Sequence, residues 1–444
     1  MLIERGAPGF DDLLRRLIWN VRSPERRSPD AVVLPVSTEE VAAAIRDAAR
    51  RGQRVALRGS GHNYQGAALR DEGLLVDIGA LDRVEIDAVS RRARVGAGVK
   101  GGRLIRQLAG HGLAFPIGHC ADVALSGYVL AGGIGWNYGE WGPACANVTA
   151  IEMVTAAGEI VVATADEFAD LFWAARGAGC AFFAAVTGYE LVLHELPAAA
   201  FVVDTAFDAG SAPHIAEWLD TAGAAADSTV ELICLIGPDV HTGRPAITVR
   251  AVASAGSVEG ARKKLAPMLS SPPGATLLRP AELKALPFAD LPGFSSLPGG
   301  KRVAADQVWS DHPIGDLLRA TAHLAEGPQR SSAISLTALG GRATTPGMPG
   351  GIDGALSVGG TASAGIYALW DGAEDDRRHV EWVAAADAAL APFRSGRYVG
   401  EADVFVAPDR LAQCFTPHAL GRLRELRARY DPDGVFLNCL PAGG

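Results

Sequence analysis

Residues 115–136, FPIGHCADVALSGYVLAGGIGW, decide how this chain is read. Gly118, Gly127, Gly132, Gly133 and Gly135 recur through the stretch, with Ser126, Tyr128 and Ile134 between them. Backbone without a Cβ can approach a flat ligand closely. Alone, the run reads equally well as a tightly packed turn. Residues 54–66, RVALRGSGHNYQG, change the weighing. Arg54 to Arg58 reads as a short buried strand, and Gly59-Ser60-Gly61-His62-Asn63 follows with no helix behind it. Consecutive small residues let successive N–H groups converge on an anion, which suits a pyrophosphate. Arg58, Gly59, Ser60, Gly61 and Asn63 are therefore candidate contacts. From spacing alone, His62 is a loop histidine bonded to backbone. Two such loops in one region favour a large phosphate-bearing cofactor.

A third glycine run points elsewhere. Gly96-Ala97-Gly98-Val99-Lys100-Gly101 matches G-x-G-x-x-G, but a single match in a chain with 53 glycines is weak. A dinucleotide unit also needs a parallel strand and an acid about 20 positions on. Asp122 has that spacing but lies in the glycine-rich loop, so residues 96–101 read as a strand-to-helix turn.

Around these loops the first part of the chain alternates short elements. Ser37-Thr38-Glu39-Glu40 is a capping box opening a helix that Gly52 stops. Short strands are expected at LLVDI, RVEID and ARVGA, then a helix from about Arg103 to Ala109. IEMVT and EIVVAT read as a hairpin across Ala156-Ala157-Gly158, and Asp166 as the cap of the helix after it. Composition shifts near Pro197. Strands such as TVELICLI, AITVRAVA and AISLTAL then mix with helices around 213–222 and 259–269, which implies an antiparallel sheet backed by helices. The proline-rich segment 272–300 is expected to be irregular surface loop. ALGRLRELRARY returns to helix near the end. The fold class is thus α+β, and 444 residues exceed one ordinary core, so two domains are expected.

A net charge of −9 without a long basic run disfavours nucleic acid and anionic membrane surfaces as partners. No apolar stretch reaches the roughly 20 residues of a spanning helix, and MLIERGAPGFDDLLRR carries no signal-peptide core, so a cytoplasmic protein is expected. The six cysteines form no C-x-x-C pair and no zinc spacing. His111, His241 and His379 show no partner pattern for a metal. Phe172 and Trp173 read as helix core.

RVALRGSGHNYQG, FPIGHCADVALSGYVLAGGIGW, DLFWAARGAGCAFFAAVTGYEL and RYDPDGVFLNCLP resemble four landmarks of the berberine-bridge-enzyme-like flavin oxidases. These belong to the vanillyl-alcohol-oxidase, PCMH-type superfamily, and the landmarks stand in its order across nearly the whole chain. The resemblance implies a PCMH-type FAD-binding domain formed by both chain ends, residues 1–198 and 396–444, with a substrate domain, 199–395, inserted between. It implies covalent FAD, with His62 bonded to the flavin 8α carbon and Cys120 to C6 as in bicovalent members. An imidazole nitrogen and a thiolate can each add to an electron-poor ring. Asn438 in the final landmark is a further expected contact. Val123, three residues after the cysteine, stands where a Val usually accompanies oxygen reactivity.

Departures are present too. Asp122 stands where Thr or Ser is usual, Ala124 and Ser126 replace glycines, and Tyr128 holds a position often occupied by His. Residues 179–183 and 437–439 also differ from the family pattern. The implied reaction is oxidation of a small organic substrate at a C–OH or C–N carbon, hydride passing to flavin N5 and O2 returning as hydrogen peroxide. A base is needed. Tyr398 matches the family's Tyr-x-Asn tyrosine without the Asn, with Arg397 or the flavin environment expected to lower its pKa; Glu401 and Tyr367 are reserves. Alternatives are a dehydrogenase or oxidative cyclase of secondary metabolism, or a non-catalytic, sugar-binding protein on this scaffold. Monomer and homodimer stay open.

Overall fold

The strand Val55–Arg58 carries the loop at 59–63 on its end, and both of its edges are occupied. On one side it pairs in parallel with Leu74–Asp77, which pairs in parallel with Ala31–Val33, and Leu2–Glu4 closes the sheet antiparallel. On the other side Val55 meets the far end of the chain: its N–H donates to the Val435 carbonyl (2.7 Å) and its carbonyl accepts from Leu437 N–H (2.8 Å). The first sheet is therefore completed from both ends of the sequence. In this computed structural model all residues are described except 23–26, 226, 228, 294–296, 340–352, 406 and 441–444.

A second, five-stranded antiparallel sheet contains the expected hairpin, Val148–Val154 against Ile160–Ala163. Ser37 caps the helix Thr38–Arg50 by accepting from Glu40 N–H, and Glu40 reaches back to Val36 N–H, one residue before the cap. The helix expected from Arg103 starts two residues earlier, Gly101–Ala109. Asp166 is not a cap. The helix Ala169–Ala175 opens at Phe168 in a left-handed conformation, and Thr164 Oγ1 accepts from the Asp166 and Glu167 N–H groups instead. Phe172 and Trp173 are buried core, as read.

Residues 96–101 form a turn. A Cβ on Gly96 would lie 2.1 Å from the Leu81 carbonyl oxygen, and one on Gly98 2.5 Å from that of Ile78. The strand before them, Arg92–Gly96, has antiparallel neighbours only, so no parallel crossover is built there.

The middle of the chain makes an eight-stranded antiparallel sheet. Its strands alternate. Leu232, Cys234 and Ile236 face one way and pack with Leu336 and Ile366 beneath the helices Ala212–Ala225, Ile314–Thr321 and Asp376–Leu390. Burying each such Leu or Ile contributes about 1.5–3 kcal/mol. Glu231, Ile233 and Leu235 face the other way, into a cavity. This one-residue alternation fixes the register, because a slip would put Glu231 under the helices.

Segment 272–300 is not all loop. Leu277–Leu286 is an edge strand on Ala199–Asp208, and the register shifts between Asp204 and Ala206, opposite Pro280. An edge with an irregularity is where a strand tolerates a proline that cannot donate.

One buried core draws mainly on residues 31–202 and 398–440, with Val252, Phe288, Leu291, Trp309, Leu339, Ala355 and Leu356 joining it from the middle of the chain, whereas a second is confined to 201–390. These cores favour domain boundaries at 198/199 and 395/396, which we infer as the organisation of the chain. The first residues of the last segment, Gly396–Arg397, still pair with the eight-stranded sheet.

Candidate active site

A cavity of about 710 Å3 lies where the two glycine loops meet the open face of the eight-stranded sheet. It falls within the roughly 300–1,000 Å3 range of ligand pockets. Arg58 to Asn63, Cys120, Val123, Ser126 to Tyr128, Ile134, Gly135, Tyr398 and Asn438 all line it. Gly132 and Gly133 do not. A Cβ on Gly132 would strike the Leu356 side chain at 2.8 Å, and one on Gly133 the Ala144 Cβ at 2.6 Å, so these glycines serve packing.

The two loops are locked to each other. Ser60 Oγ accepts from Ala124 N–H (3.0 Å), and a Cβ on Gly59 would stand 2.1 Å from Ser126 Oγ. Arg58 holds the first loop from behind. Its guanidinium donates to Asp77 (2.7 Å) and to the carbonyls of Leu17, Gly59 and Ser60. Arg58 thus shapes the loop through bonds within the protein and has little left for a ligand anion.

Another arginine has what Arg58 lacks. Arg70 lines the cavity with its guanidinium 4.3 Å from the Phe405 ring centre, and its buried Nε has no hydrogen-bond partner among the described residues. Tyr128 Oη, Asn438 Nδ2 and His62 Nε2 are buried and unpartnered in the same way. Leaving a buried polar atom unsatisfied costs about 1–3 kcal/mol. Asn137 Nδ2 is a further such atom on the lining, and with Arg70, Tyr128 and Asn438 it offers donors to a polar ligand with an anionic part, so the residues fit FAD.

His62 is 5% exposed at its side chain, 4.3 Å from the Trp19 ring centre, with Nε2 3.5 Å from Asp122 Oδ1. Burial lowers its pKa against the pull of Asp122, which leaves the imidazole neutral and its lone pair available at pH 7. Cys120 is the reverse case. Burial raises its thiol to about 11, so the thiolate expected for attack is a minor species at neutral pH.

The help expected from Arg397 is absent. Arg397 is turned into an ion-pair network with Asp306 and Asp387, and burial, reinforced by Glu401, holds the Tyr398 phenol well above its ordinary pKa. Tyr398 Oη accepts from Gly133 N–H (3.3 Å). The reserve pair is better placed: Tyr367 donates to Glu401 Oε2 at 2.6 Å, and both line the cavity. Burial raises the Glu401 carboxyl above the usual range, opposed by the Tyr367 hydrogen bond and the charge of His119.

His119 and Glu231 join the cofactor loop to the substrate sheet at 2.5 Å. Burial alone would depress His119, but the Glu231 carboxylate outweighs it and raises the pKa. The sequence reading missed Arg70, His119, Glu231 and Tyr64 as lining residues. A charged residue at the in-facing position of an alternating strand was the signal available for Glu231.

Residues 29–164 match the family model described as FAD binding domain. Along 444 aligned residues the chain is 28% identical to (R)-6-hydroxynicotine oxidase of Paenarthrobacter nicotinovorans, covering 96% of this chain and 93% of that protein. It is 30% identical to the FAD-linked oxidoreductase ptmO of Penicillium ochrochloron, covering 69% and 68%. Among solved structures, a BBE-like 1 protein of Physcomitrella patens superposes with a TM-score of 0.85 at 19% identity, covering 100% and 97%.

Proposed function

From the premise that this chain belongs to the FAD-linked oxidoreductases of the berberine-bridge-enzyme-like, PCMH-type superfamily, we propose that it is an oxidase of a small organic substrate with covalently held FAD. The observation that carries this reading is the continuity of one cavity from the 58–63 loop to the polar face of the eight-stranded sheet. FAD, when bound, supplies a two-electron acceptor that takes hydride at N5 from a C–OH or C–N carbon and yields hydrogen peroxide with O2. Arg70, Asn438 and Tyr128 would hold it through their unpartnered donors, and His62 and Cys120 would tether it. Val123 lines the cavity, which supports an oxygen-reactive reading. Glu401, steadied by Tyr367, takes the substrate proton; the phenol of Tyr398 is held too high for that task.

The test is a visible spectrum and intact mass before and after acid denaturation, with peptide mapping. Flavin mass is expected on the peptides bearing His62 and Cys120, and His62→Ala is expected to lose the first of these. Reconstitution of flavin-free protein sharpens the point. The neutral His62 should react at a rate flat between pH 7 and 9, whereas Cys120 attachment should rise about tenfold per pH unit while the pH lies below the thiol's pKa of about 11. Complete release of flavin in acid would refute the covalent reading.

A further inference from the structure

Glu401 makes no direct ion pair among the described residues, and the cation whose charge acts on it, His119, is itself bound to Glu231. The partner of the Glu401 carboxylate among the described residues is the Tyr367 phenol. Several cations around the cleft are engaged elsewhere, His119 with Glu231, Arg250 with Asp204, and Arg397 and Arg410 with Asp306 and Asp387, while Arg70, which lines the cavity against Phe405, makes no ion pair with Glu401. Arg58 is tied to Asp77 on the cofactor side. Glu401 is only partly exposed and lines the cavity. Enclosed charges are ordinarily paired, because removing one from water is costly.

The surroundings of Glu401 match one kind of partner. The Tyr64 and Tyr367 rings lie 5.5 Å apart at 58°, and both line the cavity. Trp19 stands behind Tyr64 at 5.5 Å. Aromatic rings attract a cation within about 6 Å of their centres, and more strongly when water is excluded. Beyond this corner the lining is mixed: Ile233, Leu235, Leu297 and Leu339 give it an apolar part, and Gln307, Ser335, Thr337 and Ser363 a polar one.

We propose that Glu401, Tyr367 and Tyr64 form a cation-binding corner, and that the substrate is an amine on an apolar body, bound there through its protonated nitrogen. This rests on the flavin-oxidase reading and narrows its C–OH or C–N alternatives to C–N. A sugar would leave Glu401 without an ion pair.

The test compares two probes of like shape, cyclohexylmethylamine and cyclohexylmethanol. Each is titrated calorimetrically into the flavin-loaded protein at pH 8 without oxygen. The amine is expected to bind at least about tenfold tighter than the alcohol, the span of a desolvated cation–π contact added to a carboxylate partner. In Glu401→Gln that preference should fall below about threefold while alcohol affinity holds. Tyr64→Leu should weaken the amine by about 2–5-fold, and Tyr64→Phe, which keeps the ring, should not. Equal affinity for the two probes, no saturable amine binding, or an unchanged preference in Glu401→Gln overturns the proposal. The oxidase reading fails separately: dithionite-reduced protein that air does not reoxidise would remove it, whichever probe binds.

Discussion

Glu401→Gln is expected to slow turnover by about 100- to 10,000-fold while flavin stays bound, the range typical of losing a positioned proton acceptor. The amide keeps the shape and can still accept from Tyr367, so the loss of kcat at saturating substrate reports proton uptake apart from any loss of substrate binding. A base works only when deprotonated, so the rate rises with pH through its pKa. Burial raises Glu401, which places that rising limb above the ordinary carboxylate range. Tyr367→Phe removes a hydrogen bond that favours the ionised form, so the limb should move to still higher pH. Steady-state oxygen consumption across pH 5–9 measures both variants. A Glu401→Gln enzyme within about threefold of the parent, with the limb in place, would return the role to Tyr398.

Arg397→Leu is expected to destabilise the protein by about 3–5 kcal/mol, the cost of breaking a buried ion pair from one side. Arg397 is 2% exposed at its side chain and Asp306 0%, and they lie 2.8 Å apart. Arg397 also donates to both Asp387 oxygens (2.8 and 3.0 Å) and to Gln413 (3.0 Å), while Arg410 holds the other Asp306 oxygen. The network ties the strands Arg302–Ser310 and Gly396–Arg397 to the helix Asp376–Leu390, and the next residue in the chain is Tyr398. At about 2–4 °C per kcal/mol for a cooperative unit of 150–250 residues, the melting temperature should fall by about 6–20 °C. Arg397→Lys keeps the charge but not the planar fork, and should recover only part of the loss. A melting temperature within about 2 °C of the parent in the Leu variant would mean that Arg410 alone sustains Asp306.

Local structure was legible in the sequence where local chemistry decides it. Ser37 and Glu40 announced a helix start, and Ala156-Ala157-Gly158 a hairpin. Leu277–Leu286 was hidden because its strand character comes from a neighbour about 80 residues away, and its proline reads as loop. The loop at 58–63 reads in sequence as an anion cradle, and the structure places it on the cavity with Arg58 as its internal brace. Only the three-dimensional positions of Leu17 and Asp77 reveal that. Arg70 was unreadable for the complementary reason: an unpartnered nitrogen has no sequence signature. The expectation for Arg397 came from adjacency to Tyr398, whereas its guanidinium turns away to Asp306 and Asp387.

The pairing of Val55 with Val435 and Leu437 has a consequence for biosynthesis. About 380 residues separate the two, and ribosomes add about 5–20 residues per second, so the outer edge of the first strand waits about 20–80 s for its neighbour. The inserted eight-stranded sheet draws its strands from within that interval. Its edges can therefore pair among themselves before the nascent chain can form a cofactor pocket. The outer edge of the strand that carries the 59–63 loop is in this sense completed late, and a stalled chain would present the substrate sheet beside a cradle with one wall missing.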